Sequence, residues 1–380
     1  MQDFMELLIE EGDYEQEFLK AAEESQLPLY IYGKGEVAQR VMHVLKEQGI
    51  AAAGSIIDDV FRKHNLEDDA LAISEINARG GVNVLAGFWD YRAALKKLRN
   101  VSGIRHAGCL NRIYDTQRID RKYIAQNRNL FAETFQWLND EASRNTFAAY
   151  LNANIANDAR YMFPVCQPLD EQYFFYWNKM KAGESMTYIV CGAYDGDTVE
   201  SIIRRAGKAG TVYAFEPDPE NWRALHDRIQ TRLWDYGWKI NTVNKGVSSC
   251  AGYAYFDSVM GSTARGICRI AEKSQIKGKK IKVNLTTIDE ELMESIQSPA
   301  FITMDIEGSE LAALQGAEQV IRTYKPHMAI SVYHKRKDLI SIPQKIKSMD
   351  PAYQLYMTAH CPWSEEVVLY AVYPHHGLRK

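Results

Sequence analysis

The feature that most constrains this chain is a strand, turn, helix and strand run at residues 186–216. An apolar stretch, MTYIV, breaks into a glycine-bearing turn, CGAYDGDT, continues as the amphipathic run VESIIRRAG, and returns as TVYAF, which ends in Glu216. Two such strands joined by a helix lie parallel, and a parallel sheet needs both faces covered. Apolar and helical segments then alternate through DPENWRALHDRI, INTVNKGV, YAYFD, KIKVNLTTI, AFITMDI, SELAALQGAEQVIRTY and HMAISVY. A closing pair, YQLYMTAH and VVLYAVY, reads as an antiparallel hairpin. The alternation predicts a doubly wound α/β sheet over residues 181–380.

A shorter version of the pattern opens the chain. The strand LYIYG runs into the turn G-K-G-E-V-A at 33–38 and a helix, EVAQRVMHVLKEQG, closed by Gly49. The strands AAAGSIIDD and VNVLAGF (82–88) and a helix at 90–100 follow, predicting a small Rossmann-like α/β domain over 1–115. Residues 1–25 read as one acidic amphipathic helix with Phe4, Leu7 and Leu8 on a face. Between the two domains, residues 116–180 have helical periodicity and the aromatic stretch YMFPVCQPLDEQYFFYW. That segment is expected as a connector whose aromatics pack onto the second domain or wall a substrate. No repeat of fixed period is present.

Composition excludes several function classes. There are 45 basic against 49 acidic residues, a net charge of −4, so nothing draws the molecule as a whole to nucleic acid or a membrane surface. The basic run KGKKIK (277–282) abuts a strand with alternating Ile281, Val283 and Leu285 and reads as a charged strand edge. Six cysteines, at 109, 166, 191, 250, 268 and 361, form no CxxC pair and read as scattered buried thiols. The N-terminus lacks signal-peptide character, and no window approaches about 18 consecutive apolar residues. A cytoplasmic protein is expected.

Ligands of doubly wound sheets sit at the carboxyl ends of the strands. Gly192 and Gly196 lie where the first strand of the second domain turns into its helix, and Glu216 ends the next strand 24 residues after Gly192, placed for ribose hydroxyls. The spacing alone suits a nicotinamide cofactor equally well. The turn, however, is G-A-Y-D-G and carries Asp195 and Asp197. Acidic side chains repel a pyrophosphate but favour a sulfonium and an α-amino group. Together with the P-D-P-E-N turn after Glu216, this favours S-adenosylmethionine as the cofactor.

From about Leu138 to Tyr373 the chain resembles the FkbM-type methyltransferase family. The matching stretches are LNDEASRNTFAAYL (138–151), YIVCGAYDGDTVE (188–200), VYAFEPDPENW (212–222), MDIEGSELAALQGA (304–317), ISVYHKRKDL (330–339) and EEVVLYAV (365–372). The resemblance implies a class I methyltransferase Rossmann-like fold and methyl transfer to a hydroxyl of a sugar, glycan or other natural product. The expected cofactor contacts are Gly192, Ala193, Tyr194, Asp195, Gly196, Glu216, Pro217, Asp218, Asn221 and Gly246. One departure stands out. The family carries an aspartate two residues before the first glycine, where this chain has Val190, and an acid there helps hold the methionine amino group. Its loss removes a charge-assisted contact of roughly 1.5–3 kcal/mol unless Asp195 or Asp197 compensates.

Asp305 and Glu307 end the apolar strand FITMDI before Gly308. The motif position implies that Asp305 faces the transfer site with Glu307 beside it, and two close carboxylates can raise one pKa enough for base work. The competing reading is that Glu307 through Glu310 cap a helix. His334 ends MAISVYH as an eligible base near neutral pH, in a Tyr333–His334 pair that the resemblance places at the site. His360 and Glu366 fall at matching positions for lining the acceptor pocket. Asp305, Glu307, His334 and His360 are ligand types that suit Mg²⁺, but no spacing demands a metal and none is expected. In the first domain, Asp58 stands 25 residues after Gly33, the context of a dinucleotide turn, although Ala38 takes the third glycine position. The run also looks like the N-terminal domain of bacterial sugar-nucleotide acetyltransferases, implying a nucleotide or nucleotide-linked sugar there. Two other readings remain open: an NAD-dependent oxidoreductase using the first domain, and a cofactor-impaired methyltransferase fold kept for binding.

Overall fold

The computed structural model describes residues 3–64, 69–113, 117–180, 186–207, 210–233, 237–258, 268–271, 279–296 and 300–374. Two compact units divide the chain. One comprises Met1–Arg128, Arg144–Leu169 and Ala359–Glu365; the other comprises Asn129–Ser143, Asp170–Thr358 and Glu366–Lys380. The segment 116–180, expected as a connector of its own, is thus shared between the two.

In the first unit, runs of aromatic and β-branched residues form the strands β1 (Leu29–Tyr32), β2 (Gly54–Ile57), β3 (Leu71–Ala72), β4 (Val82–Ala86) and β5 (Ile104–Gly108). They pair in parallel in the order β3-β2-β1-β4-β5. β1 and β4 are buried at every position, as expected of strands covered on both faces. The single N-terminal helix expected over 1–25 is not formed. Phe4–Leu7 is a short 3-10 turn, and the helix proper runs Tyr14–Glu24. Asp13 starts it by accepting a hydrogen bond from the Gln16 amide at 3.1 Å, which separates the two pieces.

The second unit holds β6 (Thr187–Cys191), β7 (Thr211–Phe215), β8 (Lys239–Val243), β9 (Gly246–Val247), β10 (Gly252–Ser258), β11 (Cys268–Ala271), β12 (Lys279–Thr286), β13 (Ala300–Met304), β14 (His327–Ser331), β15 (Gln354–Ala359) and β16 (Val367–Val372). Seven of these make the main sheet in the order β15-β16-β14-β13-β6-β7-β8, with β16 antiparallel to β14. The chain goes from β6 outward to β7 and β8, then returns to the other side of β6 as β13. This reversal makes the β6/β13 junction the topological switch point.

Three local expectations are corrected. YAYFD and KIKVNLTTI do not join the doubly wound sheet. As β10 and β12 they pair antiparallel in a separate four-stranded sheet, β11-β10-β12-β9, a pairing that needs no helical crossover. Val283 and Ala254 form its small core, and Lys282 lies over the Tyr253 ring at 4.2 Å. The first residues of KGKKIK, 277 and 278, lie outside the described residues. SELAALQGAEQVIRTY is two helices, Glu310–Gln315 and Glu318–Tyr324, broken at Gly316, where a Cβ would run into the Ser248 carbonyl. The helix Asp338–Met349 also forms, with Pro343 inside it, where proline removes a backbone hydrogen bond. Of the cysteines, Cys109, Cys191 and Cys361 are buried as expected, whereas Cys250 is exposed.

No helix among the described residues is long and apolar enough to cross a membrane. The main core of the second unit gathers Phe174, Tyr188, Phe301 and Tyr370, with Trp177 against it. Phe301 is fully buried in β13, its ring 5.7 Å from Trp177 and 6.3 Å from Tyr188. Phe301→Ala leaves a cavity at the middle of the sheet, and urea unfolding is expected to show about 3–5 kcal/mol lost from the second unit's transition.

Candidate functional site

The switch point opens into a cavity of about 330 Å³, within the size of small-molecule sites. It is built first from the end of β6. Gly192 adopts φ 82°, and a Cβ there would run into the Asp305 carbonyl, so glycine lets β6 and the loop after β13 approach. The amides of Gly192 and Ala193 both donate to the Phe215 carbonyl, at 3.0 and 2.9 Å, which turns the chain across the end of β7. Tyr194 follows at φ 49°, and Gly196 at φ 90° opens the helix Asp197–Ala206.

Glu216 spans this turn and the next. Its Oε2 accepts from the Tyr194 amide and its Oε1 from the Asp218 amide, both at 2.9 Å. Burial pushes its carboxyl up to about 7, despite these hydrogen bonds to the charged form. Asp218 caps the helix Pro219–Arg228 by accepting from Glu220 and Asn221 amides. Of the residues expected to hold a cofactor, Gly192, Tyr194, Glu216, Pro217, Asn221 and Gly246 line the cavity. Ala193, Asp195, Gly196 and Asp218 do not; they shape the turns. Asp195 is paired with Arg228 at 2.7 Å, whereas Asp197 lines the cavity, where burial and the charge of Asp195 raise its carboxyl above the usual range. Val190 stands at the cavity as an apolar wall residue, in register with Ala214 and Thr303.

The other wall comes from the loop after β13 and the end of β14. Asp305 Oδ2 accepts from the Tyr173 hydroxyl at 2.5 Å, and its Oδ1 lies 3.3 Å from His334 Nε2. Glu307 Oε2 lies 3.5 Å from the same nitrogen, and Glu307 takes the left-handed conformation, φ 55°. On the far side of the ring, His334 Nδ1 is 2.9 Å from Glu310 Oε1. Glu310 is fully buried, and the same oxygen accepts from the Ile306 and Gly308 amides at 2.9 and 3.3 Å. Burial alone would lower the His334 pKa, but the carboxylates of Glu310, Glu307 and Asp305 hold it well above the ordinary value. These three carboxylates favour the protonated imidazole over the neutral one. Burial raises the Asp305 carboxyl, with His334 opposing.

The fold thus brings Asp305, Glu307 and His334 together, and Glu366 also lines the cavity. Tyr333 is buried with its ring 4.1 Å from that of His334, and burial, followed by Asp305 and Glu366, raises its phenol well above the usual range. His360 belongs to the first unit, where its Nδ1 lies 2.8 Å from the Pro168 carbonyl; it is not among the lining residues. The reading of single residues missed Glu310, taken as a helix cap, and Gln172 and Tyr173. Gln172 Nε2 donates to Glu366 Oε2 at 2.5 Å. The aromatic stretch was the signal for these two. In the first unit, Asp58 is held by the Tyr32 hydroxyl at 2.5 Å and by Lys97 at 2.6 Å.

Five carboxylates, Asp197, Glu216, Asp305, Glu307 and Glu366, and no lysine or arginine are found among the described residues lining the cavity. Because the Glu216 carboxyl is raised on folding, the folded state favours its protonated form. This stabilisation is complete below the ordinary value of 4.5 and is lost as pH rises through about 7. Urea unfolding across that window is expected to show a flatter pH profile for Glu216→Gln than for the parent chain.

No curated protein matches the chain by sequence. Among solved structures, it is similar over 95% of its length, and 94% of the other chain, to the methyltransferase FkbM from Methylobacillus flagellatus KT, with a TM-score of 0.67 and 22% identity. A putative rRNA-methylase from Clostridium thermocellum covers 55% of this chain and 97% of its own, with a TM-score of 0.34 and 12% identity. Fibrillarin from Aeropyrum pernix, in complex with natively bound S-adenosyl-L-methionine, covers 50% and 68%, with a TM-score of 0.32 and 13% identity. The first of these supports the fold, a class I methyltransferase Rossmann-like sheet. Residues 191–369, which include the cavity-lining residues from Cys191 to Glu366, match the family described as the methyltransferase FkbM domain.

Proposed function

We propose that this chain transfers a methyl group from S-adenosylmethionine to a hydroxyl oxygen of a sugar, glycan or other natural-product acceptor. The observation that carries this reading is the acidic cavity at the switch point, with the Gly192–Glu216 turns on one wall and the Asp305–His334 cluster on the other. A sulfonium and an ammonium group are both attracted by such a lining, whereas a pyrophosphate is repelled. The glycine cradle at 192 and the buried carboxyl of Glu216 fit an adenosyl group, with Glu216 taking the ribose hydroxyls and Asn221 and Pro217 beside it. When bound, S-adenosylmethionine supplies the electrophilic methyl carbon.

The chain's own residues then orient the acceptor. Asp305, fixed by Tyr173, and Glu307 receive the hydroxyl, and His334 holds both carboxylates in place from behind. The hydroxyl proton passes to a carboxylate of this wall. Holding the oxygen in line with the methyl group is the larger part of the effect. Val190 favours a second reading, a methyltransferase fold that has lost cofactor affinity and is kept for recognition. A large gain in cofactor affinity in Val190→Asp supports that reading, and unchanged affinity supports compensation by Asp197.

Calorimetric titration with S-adenosylmethionine is expected to give micromolar binding that is lost in Glu216→Ala; no binding at millimolar concentration sinks the proposal. Ribose hydroxyls favour the ionised Glu216, which is depleted below about 7, so affinity is expected to rise about tenfold from pH 6 to pH 8. Glu216→Gln removes that slope. With an acceptor in hand, Asp305→Asn is expected to lower turnover by about 10²–10⁴-fold while leaving cofactor affinity within about threefold.

A further inference from the structure

The geometry points to a divalent-cation site on the cavity wall, with Asp305 Oδ1, Glu307 Oε2 and His334 Nε2 as its ligands and the ion taking the place of the Nε2 proton. Asp305 Oδ1 and Glu307 Oε2 stand 3.3 and 3.5 Å from His334 Nε2. Asp305, Glu310 and His334 each place a ligand atom within 4.8 Å of the others, and Glu307, which lines the cavity, meets the same imidazole nitrogen as Asp305. The imidazole is aimed into this cluster. Its side chain is 3% exposed, and its two ring nitrogens are met by carboxylate oxygens, with no other hydrogen-bond partner.

The outer partners have the arrangement of a metal centre. A ligating imidazole hands its other nitrogen to a carboxylate, and His334 Nδ1 lies 2.9 Å from Glu310 Oε1. Glu310 is in turn fixed by the Ile306 and Gly308 amides, and its second oxygen has no hydrogen-bond partner. The far oxygen of Asp305 is held by Tyr173. Three carboxylates therefore converge on one imidazole, and the ammonium of the neighbouring Lys335 is turned to the Gly308 carbonyl. Two carboxylates and one imidazole suit Mg²⁺ or Mn²⁺.

Asp305 and Glu307 both line the cavity, so the remaining coordination positions face it. Two neighbouring oxygens of a polyol acceptor would complete the shell. That last point rests on the methyl-transfer reading; the ion site itself does not.

The test is titration of Mn²⁺ alone into the full-length chain after stripping with EDTA, without methyl donor or acceptor, following loss of the free-ion paramagnetic resonance signal. One ion per chain is expected, with affinity falling more than about tenfold in His334→Ala and in Glu307→Gln. No binding at millimolar Mn²⁺, or equal binding in parent and variants, overturns the site. Should His334→Ala fail to fold, Glu307→Gln decides alone, since its side chain opens on the cavity. Methyl transfer that persists in EDTA with no Mn²⁺ bound removes the ion and leaves the transferase reading standing. Mn²⁺ binding without cofactor binding does the reverse.

Discussion

The close approach of β6 and β13 is the constraint on which the rest of the second unit depends. The Asp305 amide donates to the Cys191 carbonyl at 3.1 Å, one residue beyond the last paired positions of the two strands. Gly192 makes this possible because any side chain there would strike the Asp305 carbonyl. Once the two loops cross at that point, the Gly192–Gly196 turn must run towards Glu216 and the Asp305–Gly308 loop must run the other way. The cavity is the space left between them.

The second determinant is electrostatic. Glu310 is buried without exposure to water and would be costly there alone. Two backbone amides and the charged ring of His334 hold it, and this keeps Glu310 below its ordinary pKa against the effect of burial. The same ring faces Asp305 and Glu307 on its opposite side. One buried carboxylate therefore sets the orientation of the imidazole, and the imidazole sets the spacing of the two carboxylates that face the cavity. Positive φ at Glu307 and Gly308 belongs to this loop, whose conformation those contacts over-determine.

Much of this was legible in the chain. The strands around Gly192 and Glu216, the parallel order they imply and the pair Asp305–His334 all follow from apolar runs ending in glycine or acid. Where local pattern and tertiary context disagree, the pattern fails. Gly316 divided a run that reads as one helix, and β10 and β12 had strand periodicity with nothing to say which sheet they would join. Residues Ala359–Glu365 belong to the first unit, and His360 with them, while Glu366 belongs to the second.

By itself the sequence determined the class of fold and the acids at the strand ends, because periodicity and turn chemistry are local properties of the chain. Only the tertiary structure decided what those acids are to one another. Glu310 reads as a helix cap until His334 is placed against it, and Tyr173 reads as one aromatic among several until its hydroxyl meets Asp305, 132 residues away. Protonation follows the same rule. A histidine at a strand end is an ordinary base until three carboxylates surround it, and their convergence depends on distances that no spacing along the chain encodes.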